Sequence, residues 1–309
     1  MGMTLVTGAS GFVGSHLMAE MRRRGLLVRG VSREMRPGLV AVPSYSSDMN
    51  WRKHLADIDA VVHLAARVHV MKESVPDPLA LFREANVAAT VNLARQAAAA
   101  GVRRFVFVSS IKVNGERTEP GTAFTADDAP NPQDPYGLSK AEAEAALRAL
   151  GRETGMEITV IRPPLVYGPG VRGNFRSLMK WAASGIPSIF RLVHNKRSFV
   201  HVLNLCDLLV RVLDHPHAVN RTFLVSDGED LSTNELFAQL ANAQGNAPRS
   251  IPIPLAILRA VGTLTGHQES MARLTENLQV DITETNSLLE WRPIISPRDR
   301  QRFHSAPGT

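Results

Sequence analysis

The stretch Thr7-Gly8-Ala9-Ser10-Gly11-Phe12-Val13-Gly14 decides the fold of this 309-residue chain. An apolar segment, residues 4–7, precedes it, and a helical pattern follows it directly. Gly8 permits a tight turn, Gly11 lets the backbone approach a pyrophosphate, and Gly14 lets the helix pack closely on the strand. The free N–H groups of the helix then favour phosphate oxygens. This context predicts a dinucleotide-binding turn rather than an ordinary glycine turn.

Outward from this turn, short apolar segments alternate with helical ones. Predicted strands cover residues 4–7, 27–31, 60–64, 104–109 and 158–161, and predicted helices cover residues 13–24, 78–100 and 136–154. Such alternation favours a parallel sheet covered on both faces. After Pro163 the pattern weakens: the later predictions are strands at 198–202 and 221–225, a helix at 204–213, helices with proline breaks from 233, and a polar tail from 298.

These elements predict an α/β protein with two domains and a chain that crosses between them. We assign residues 1–162, plus about 199–226, to a dinucleotide-binding domain with a doubly wound parallel sheet. Residues 163–198 and 227–309 are assigned to a smaller, mostly C-terminal domain that binds the substrate.

Composition excludes several classes of protein. A hydrophobic content of 44% excludes a disordered scaffold, and the single cysteine, Cys206, excludes a disulfide framework and multi-cysteine metal sites. It fits a reducing, cytoplasmic compartment. No segment has the length and apolarity of a membrane span or the pattern of a targeting signal, and we expect neither membrane insertion nor a bound metal.

The charge balance leaves two interpretations open. A net charge of +6 and an isoelectric point near 9.9 are compatible with a nucleic-acid partner. However, the basic residues are mostly arginines scattered along the chain, and guanidinium groups equally suit phosphate or diphosphate ligands. Because the motifs point to small phosphorylated ligands, we expect no nucleic-acid partner.

The end of the second predicted strand indicates which nicotinamide cofactor is bound. An acidic residue about 20 positions after the glycine turn would bind the ribose hydroxyls of NAD. Ser32 and Arg33 stand there instead. A hydroxyl beside a guanidinium suits a 2′-phosphate, and this favours NADP over NAD.

Tyr136-Gly137-Leu138-Ser139-Lys140 places a phenol and an ammonium four residues apart on one face of a helix. A nearby cation stabilises phenolate, so Lys140, aided by oxidised nicotinamide, would lower the pKa of Tyr136 toward working pH and let it act as acid or base. Ser109 and Ser110 end a strand whose carboxyl edge is where open α/β sheets bind ligands. The three groups together predict a proton-transfer site.

Other chemistry-bearing residues are better explained structurally. Cys206 lies in an apolar segment, His63 ends a strand, and Asp127-Asp128 suits a turn or a helix cap. Asn86 either contacts the cofactor pocket or packs its helix. The remaining candidates, His201, His215 and His217, lack the spacing of a zinc site.

Six motifs in order then carry a family resemblance: TGASGFVG (7–14), HLAA (63–66), FVFVSSIKVNG (105–115), YGLSK (136–140), RPPLVYGPG (162–170) and RSFVHV (197–202). By them the chain resembles the extended short-chain dehydrogenases/reductases, in particular the NAD-dependent epimerase/dehydratase family. The resemblance implies a Rossmann-type fold and a nucleotide-sugar substrate. It also implies a homodimer formed through the helices near 78–100 and 136–150.

The resemblance also implies roles for individual residues. Ser110, Tyr136 and Lys140 would be catalytic, and Ser110, Lys112, Asn174, Arg197 and Arg273 would hold the substrate. The cofactor would contact Gly8, Ser10, Gly11, Phe12, Val13, Gly14, Ser32, Arg33, Asp48, Met49, Leu64, Ala65, Ala66, Tyr136, Lys140 and Pro163.

Within the family, the motifs look most similar to bacterial O-antigen enzymes that act at C4 of a UDP-sugar. Ser32 stands where NAD-retaining epimerases have an acid, and Lys112 and Asn114 depart from the usual residues after the catalytic serine. The preferred interpretation is therefore reduction of a UDP-4-keto-6-deoxy-N-acetylhexosamine to UDP-N-acetylquinovosamine with NADP(H). The alternative is a UDP-glucose or UDP-N-acetylglucosamine 4-epimerase that uses bound NAD.

Overall fold

The computed structural model of the chain describes residues 2–68, 77–171 and 173–296, without the side chain of Asn174. The polar tail predicted from residue 298 lies outside these residues. The described strands are β1 (Met3–Thr7), β2 (Val28–Ser32), β3 (Val40–Ala41), β4 (Ile58–His63), β5 (Arg104–Val108), β6 (Glu157–Arg162), β7 (Leu165–Tyr167), β8 (Phe199–His201) and β9 (Thr222–Leu224).

The helices cover most of the segments between these strands. They are α1 (Phe12–Arg23), α2 (Pro78–Phe82), α3 (Ala89–Ala99), α4 (Pro135–Thr154), α5 (Asn174–Ala183), α6 (Val202–Val212), α7 (Thr233–Ala243), α8 (Leu255–Leu264), α9 (Gln268–Thr275) and α10 (Thr283–Leu289). A π-helical segment, Arg83–Ala88, joins α2 to α3, so the predicted helix over 78–100 is one run with a wider turn inside it.

Seven strands form one parallel sheet in the order β3-β2-β1-β4-β5-β6-β9. Buried apolar side chains pack on both of its faces. One cluster joins the sheet to α1 and α6, and the other joins it to α3 and α4. This arrangement confirms the predicted doubly wound, Rossmann-type fold. The strand order reverses between β1 and β4, and at such a point the carboxyl ends of the strands leave a crevice for a ligand.

Strand β8 does not belong to the large sheet. After β6, Pro163 and Pro164 redirect the chain, and β7 pairs in parallel with β8 in a separate two-stranded sheet. Proline has no N–H for a ladder, which explains why the strand run stops there. The chain rejoins the large sheet only at β9.

A second body of structure lies beyond this small sheet. Helices α5 and α7 enclose an apolar cluster that includes Phe175 and Leu240, and α8 and α9 enclose another that includes Phe190 and Leu258. We call residues 173–196 and 231–275 the outer lobe. No helix among the described residues has the length and apolarity needed to cross a bilayer.

Candidate functional site

The glycine turn, residues 7–14, forms a hollow that side chains in place of Gly8 or Gly14 would fill, and we call it the glycine cradle. Gly8 has a φ of 66°, and a Cβ there would lie 2.9 Å from the backbone nitrogen of Ala65. A Cβ on Gly14 would lie 2.2 Å from the carbonyl oxygen of Gly8. Phe12 and Val13 form the first turn of α1 just beyond. The bare backbone therefore fits a dinucleotide pyrophosphate in front of the N-terminus of α1.

The end of β2 presents hydroxyl groups and a guanidinium. Ser32 is buried and donates a hydrogen bond to Ser10 Oγ at 2.9 Å, while Arg33 is exposed. Tyr45, which no motif marks in the sequence, donates from its hydroxyl to Val31 O at 2.9 Å and accepts from Gly8 N at 3.2 Å. Tyr45 thus supports the glycine turn from the side of the second strand.

Asp48 and Met49 line a surface pocket of about 520 Å³ with Arg52 and Lys53. Met49 is buried in the core, and Asp48 is exposed and accepts from Ser46 Oγ at 2.5 Å. The lining combines polar side chains with Pro43 and Met49, which suits a planar nucleobase.

Asn86, in the π-helical segment, holds the segment after β4, which contains Leu64, Ala65 and Ala66. Asn86 Oδ1 accepts from Arg67 N at 2.8 Å, and its Nδ2 donates to Arg67 O and to Ser139 Oγ, both at 3.0 Å. Asn86 therefore ties the wall of the glycine cradle to α4, so its hydrogen bonds serve packing and the pocket wall together.

His63 ends β4 inside the core, as the structural interpretation predicted. Its Nδ1 lies 2.8 Å from Thr7 Oγ1 and its Nε2 lies 3.0 Å from Thr90 Oγ1. Burial and the nearby Lys140 ammonium lower the pKa of His63 to about 3. A neutral, fully hydrogen-bonded imidazole holds the strand end and does not act as a base.

The two serines after β5 point in different directions. Ser109 is buried, and its hydroxyl donates to Glu144 Oε1 at 2.6 Å. Glu144 in turn accepts two hydrogen bonds from Arg162, from Nε at 2.9 Å and from Nη2 at 2.7 Å. Ser110 is partly exposed, and its hydroxyl accepts from Lys112 N at 3.2 Å. Of the pair, Ser110 is therefore the hydroxyl available to a ligand.

Helix α4 carries Tyr136 and Lys140 to the same edge of the sheet. Lys140 Nζ donates to Val108 O at 2.8 Å and lies 4.3 Å from the centre of the Phe107 ring. Burial lowers the pKa of Lys140 to about 7, and the Glu144 carboxylate acts against this shift. Ser110 follows the same strand as Val108, so the structure brings the three predicted catalytic residues to one strand end.

The protein's own groups shift the pKa of Tyr136 upward. Burial raises the pKa of the phenol above its ordinary value, and the Asp134 carboxylate raises it further.

Lys112 does not point freely toward a substrate. Its Nζ donates to Glu116 Oε1 at 2.7 Å and to a carboxylate oxygen of Asp134. Asp134 also caps α4, because its Oδ1 accepts from Gly137 N at 2.6 Å. Asp134 was missed from the sequence, although an Asp directly before Pro135 is a helix-start signal.

The substrate candidates Arg197 and Arg273 lie near one another. Burial lowers the pKa of Arg197 to about 10, and the charge of Arg273 acts in the same direction. Arg273 lies 3.8 Å from a Glu116 oxygen and 3.3 Å from Glu269. Two guanidinium groups, one of them desolvated, fit an anionic ligand. Asn174 begins α5, and its side chain lies outside the described residues.

A pocket of about 850 Å³ adjoins this charged group. Asn114, Glu116, Phe124, Asp134 and Glu276 are among the residues that line it. It continues from the loop after Ser110 toward α9, so it lies beside the strand ends that carry the candidate catalytic groups.

The remaining candidates have structural roles. Cys206 is buried, and burial raises the pKa of its thiol. Asp128 accepts from Thr125 N at 2.9 Å in a local turn. Pro163 O accepts from Ile111 N at 3.0 Å and supports the loop after Ser110. Within the described residues, no three His, Cys, Asp or Glu side chains cluster to hold a metal ion.

Comparisons with known proteins place these features in a family. The profile of the NAD dependent epimerase/dehydratase family matches residues 4–226. A UDP-glucose 4-epimerase from Vibrio cholerae is 45% identical over 94% of this chain and 90% of its own length. An N-acetyl-alpha-D-glucosaminyl-diphospho-ditrans,octacis-undecaprenol 4-epimerase from Escherichia coli O157:H7 is 29% identical over 82% of this chain and 76% of its own length.

Solved structures agree with the fold. MoeE5 in complex with UDP-glucuronic acid and NAD is 27% identical and has a TM-score of 0.78, with 98% of this chain and 97% of that chain covered.

Proposed function

Because the chain belongs to the NAD-dependent epimerase/dehydratase family, we propose that it is a 4-epimerase of a UDP-sugar that uses a bound nicotinamide cofactor. The observation that carries the proposal is the meeting of a glycine cradle with Ser110, Tyr136 and Lys140 at neighbouring strand ends of one sheet. The Vibrio cholerae relative is a UDP-glucose 4-epimerase, and this supports the same substrate class.

The proposed roles follow from position and charge. The glycine cradle would hold the nicotinamide cofactor, which would supply hydride acceptance and return at C4 of the sugar. Tyr136 takes the proton of the C4 hydroxyl and gives it back, and Ser110 orients that oxygen by a hydrogen bond. Lys140 holds the ribose of the cofactor. Arg197 and Arg273 hold the diphosphate of the substrate, where a dianion would compensate their charges.

The domain assignment stays a proposal. The glycine cradle and the three candidate catalytic residues lie on the large sheet or on α4, whereas Arg197 and Arg273 lie near the outer lobe. The substrate would therefore lie between the two bodies, with its nucleotide on the outer side.

The deciding experiment incubates the purified protein with UDP-glucose or UDP-N-acetylglucosamine and no added nucleotide. Formation of the C4 epimer, with NAD released on acid denaturation, is expected. Failure to epimerise any UDP-sugar, together with oxidation of NADPH by a UDP-4-keto-6-deoxy-N-acetylhexosamine, would instead establish the reductase.

That reductase is the second candidate, and one observation favours it. Neither Ser32 nor Arg33, at the end of β2, supplies the carboxylate that binds NAD ribose hydroxyls, and Arg33 is exposed enough to meet a 2′-phosphate. Titration of the protein with NAD and NADP separates the candidates. Tighter binding of NADP, lost in Arg33→Ala, would favour reduction.

The adjacent serines provide a matched test of the catalytic assignment. Ser110→Ala should lower kcat by about 10²-fold or more, because the C4 oxygen loses its hydrogen bond, and Tyr136→Phe should lower it further. Ser109→Ala removes a hydroxyl bound to Glu144 and should leave kcat within a few fold. Equal losses in the two serine variants would contradict the assignment of Ser110.

A further inference from the structure

The outer lobe carries an uneven distribution of charge. Residues 158–206 and 236–268 contain no Asp or Glu. These two stretches lie against one another in the fold: Ser188 bridges to Ser250, and Phe190 bridges to Pro252. Phe190 and Leu258 share one apolar cluster. Both acid-free stretches therefore contribute to one part of the surface.

Basic side chains on this lobe are exposed. Among the described residues of the two stretches, the exposed bases are Arg176, Lys180, Arg191, Lys196, Arg249 and Arg259. None of these six forms an ion pair with a carboxylate in the described part of the chain. Elsewhere on the surface, bases such as Arg83 and Arg221 do have carboxylate partners. The outer lobe also contains two carboxylates, Glu235 and Glu269, but its basic residues outnumber them, so it presents a net positive charge.

The same lobe exposes large apolar side chains. Helix α8 places Ile257, Val261 and Leu264, spaced i, i+4 and i+7, along one side, and they are 52%, 47% and 86% exposed. Leu258 of the same helix packs inward and is 3% exposed. Exposed apolar side chains also occur in the segments that bridge beside α8, at Ile186, Leu192 and Ile251.

We propose that the outer lobe docks on the surface of a bilayer that contains anionic phospholipids. Apolar side chains on an amphipathic helix enter the region between headgroups and acyl chains, while flanking arginines and lysines pair with anionic headgroups. The absence of carboxylates across both stretches removes the repulsion that an anionic surface would otherwise meet. The protein lies on the bilayer and does not span it.

This charge pattern favours a bilayer over a nucleic acid. A nucleic acid binds through the same basic groups, but phosphate contacts do not use an aliphatic stripe. Helix α8 carries one charge in its ten residues, Arg259, and that residue lies off the stripe. A bilayer is the anionic surface that uses both the bases and the exposed aliphatic side chains.

The test measures flotation of the purified full-length chain with vesicles of phosphatidylcholine alone or with one third phosphatidylglycerol. Binding to the anionic vesicles, weakened by added salt, is expected. The triple variant R191Q/R249Q/R259Q should bind them on the order of 100-fold more weakly, at about 1 kcal/mol for each base. I257S/V261S/L264S should also lose binding, because the stripe no longer inserts.

A matched control removes the same charge elsewhere. Arg52, Lys53 and Arg152 are exposed bases outside the outer lobe, and R52Q/K53Q/R152Q should keep vesicle binding within a few fold. Thermal unfolding and turnover of a water-soluble UDP-sugar confirm that the outer-lobe variants remain folded.

Three results would overturn the proposal. The first is no binding to anionic vesicles, and the second is an equal loss in the control triple, which would indicate only whole-protein charge. The third is loss of vesicle binding in the arginine triple but not in the serine triple, together with the same order of affinities of the variants for duplex DNA. That result would indicate a general polyanion site.

Discussion

His63 shows how one buried residue couples stability to pH. Its pKa is near 3 in the folded chain against an ordinary 6.5, so the unfolded chain takes up a proton over an interval where the folded chain does not. Stability is therefore full above the unfolded pKa and falls as pH decreases from 6.5 toward 3. The Thr7 and Thr90 hydroxyls satisfy the neutral ring, which is why burial is tolerated.

The prediction is a loss of about 2 kcal/mol in the free energy of unfolding between about pH 7.5 and pH 5 from this residue alone. Urea unfolding of the native chain and of His63→Gln measures it, and the variant should show a flatter slope. Burial also lowers the pKa of His54 and of His215. Both residues are present in the native chain and in the variant, so they contribute equally to the two slopes. Parallel slopes would contradict the assignment to His63.

Lys112 sets the charge environment of Tyr136 through Asp134. Asp134 raises the pKa of the phenol, and Lys112 lies against that carboxylate, so the ammonium offsets the effect. Lys112→Met should raise the pKa of Tyr136 further, and Asp134→Asn should lower it. Lys112→Arg keeps the charge and should restore the native profile.

The measurement combines the pH dependence of kcat/KM with phenolate absorbance. The chain has three tyrosines, and a Tyr136→Phe difference isolates the signal of Tyr136. If Lys112→Met changes only the thermal midpoint and leaves both profiles in place, Lys112 is structural.

At the scale of elements, the turn between β1 and α1 uses glycine in two ways: Gly14 allows close packing, and Gly11 allows close approach of the cofactor. A Cβ at Gly14 would meet the Gly8 carbonyl, so Gly14→Ala should lower the free energy of unfolding by about 2–3 kcal/mol and weaken cofactor binding.

A Cβ at Gly11 would meet the Gly8 carbonyl only at 3.1 Å. Gly11→Ala should therefore fold normally but bind NAD at least tenfold more weakly in calorimetry, since the backbone no longer reaches the pyrophosphate. Native affinity in Gly11→Ala would contradict this placement of the cofactor.

The elements also show what sequence patterns can predict. The bounds of α1, α4 and β5 agree with prediction to within one residue, because a glycine turn, an Asp-Pro start and a continuous apolar run mark them. The pairing of β7 with β8 was not predictable, since two three-residue strands carry no periodicity. Tyr45 was missed for a related reason: its partners Gly8 and Val31 are far away in the sequence, and no local pattern records them. For Asp134, the Asp-Pro signal indicates the helix cap, but no local pattern records its contact with Lys112.

At the scale of the whole molecule, we predict a homodimer through α2, α3 and α4. Arg83 pairs with Glu142 across these helices at 2.6 Å, and they border a groove of about 510 Å³ that includes Val91. Sedimentation at micromolar concentration should give a dimer, and Val91→Glu should give a monomer. Val40→Glu, on the β3 edge, is the control and should remain dimeric. A monomeric native chain would reject the interface.

The position of β9 late in the sequence affects folding of the chain during translation. The large sheet is completed only by Thr222–Leu224, after the chain has already left it for the small sheet and α5. While the ribosome is still adding residues 163–221, β6 remains an unpaired edge of otherwise apolar sheet, the kind of surface that recruits chaperones or aggregates. Nascent chains stalled before residue 222 should therefore bind chaperones, and release should follow once β9 has emerged.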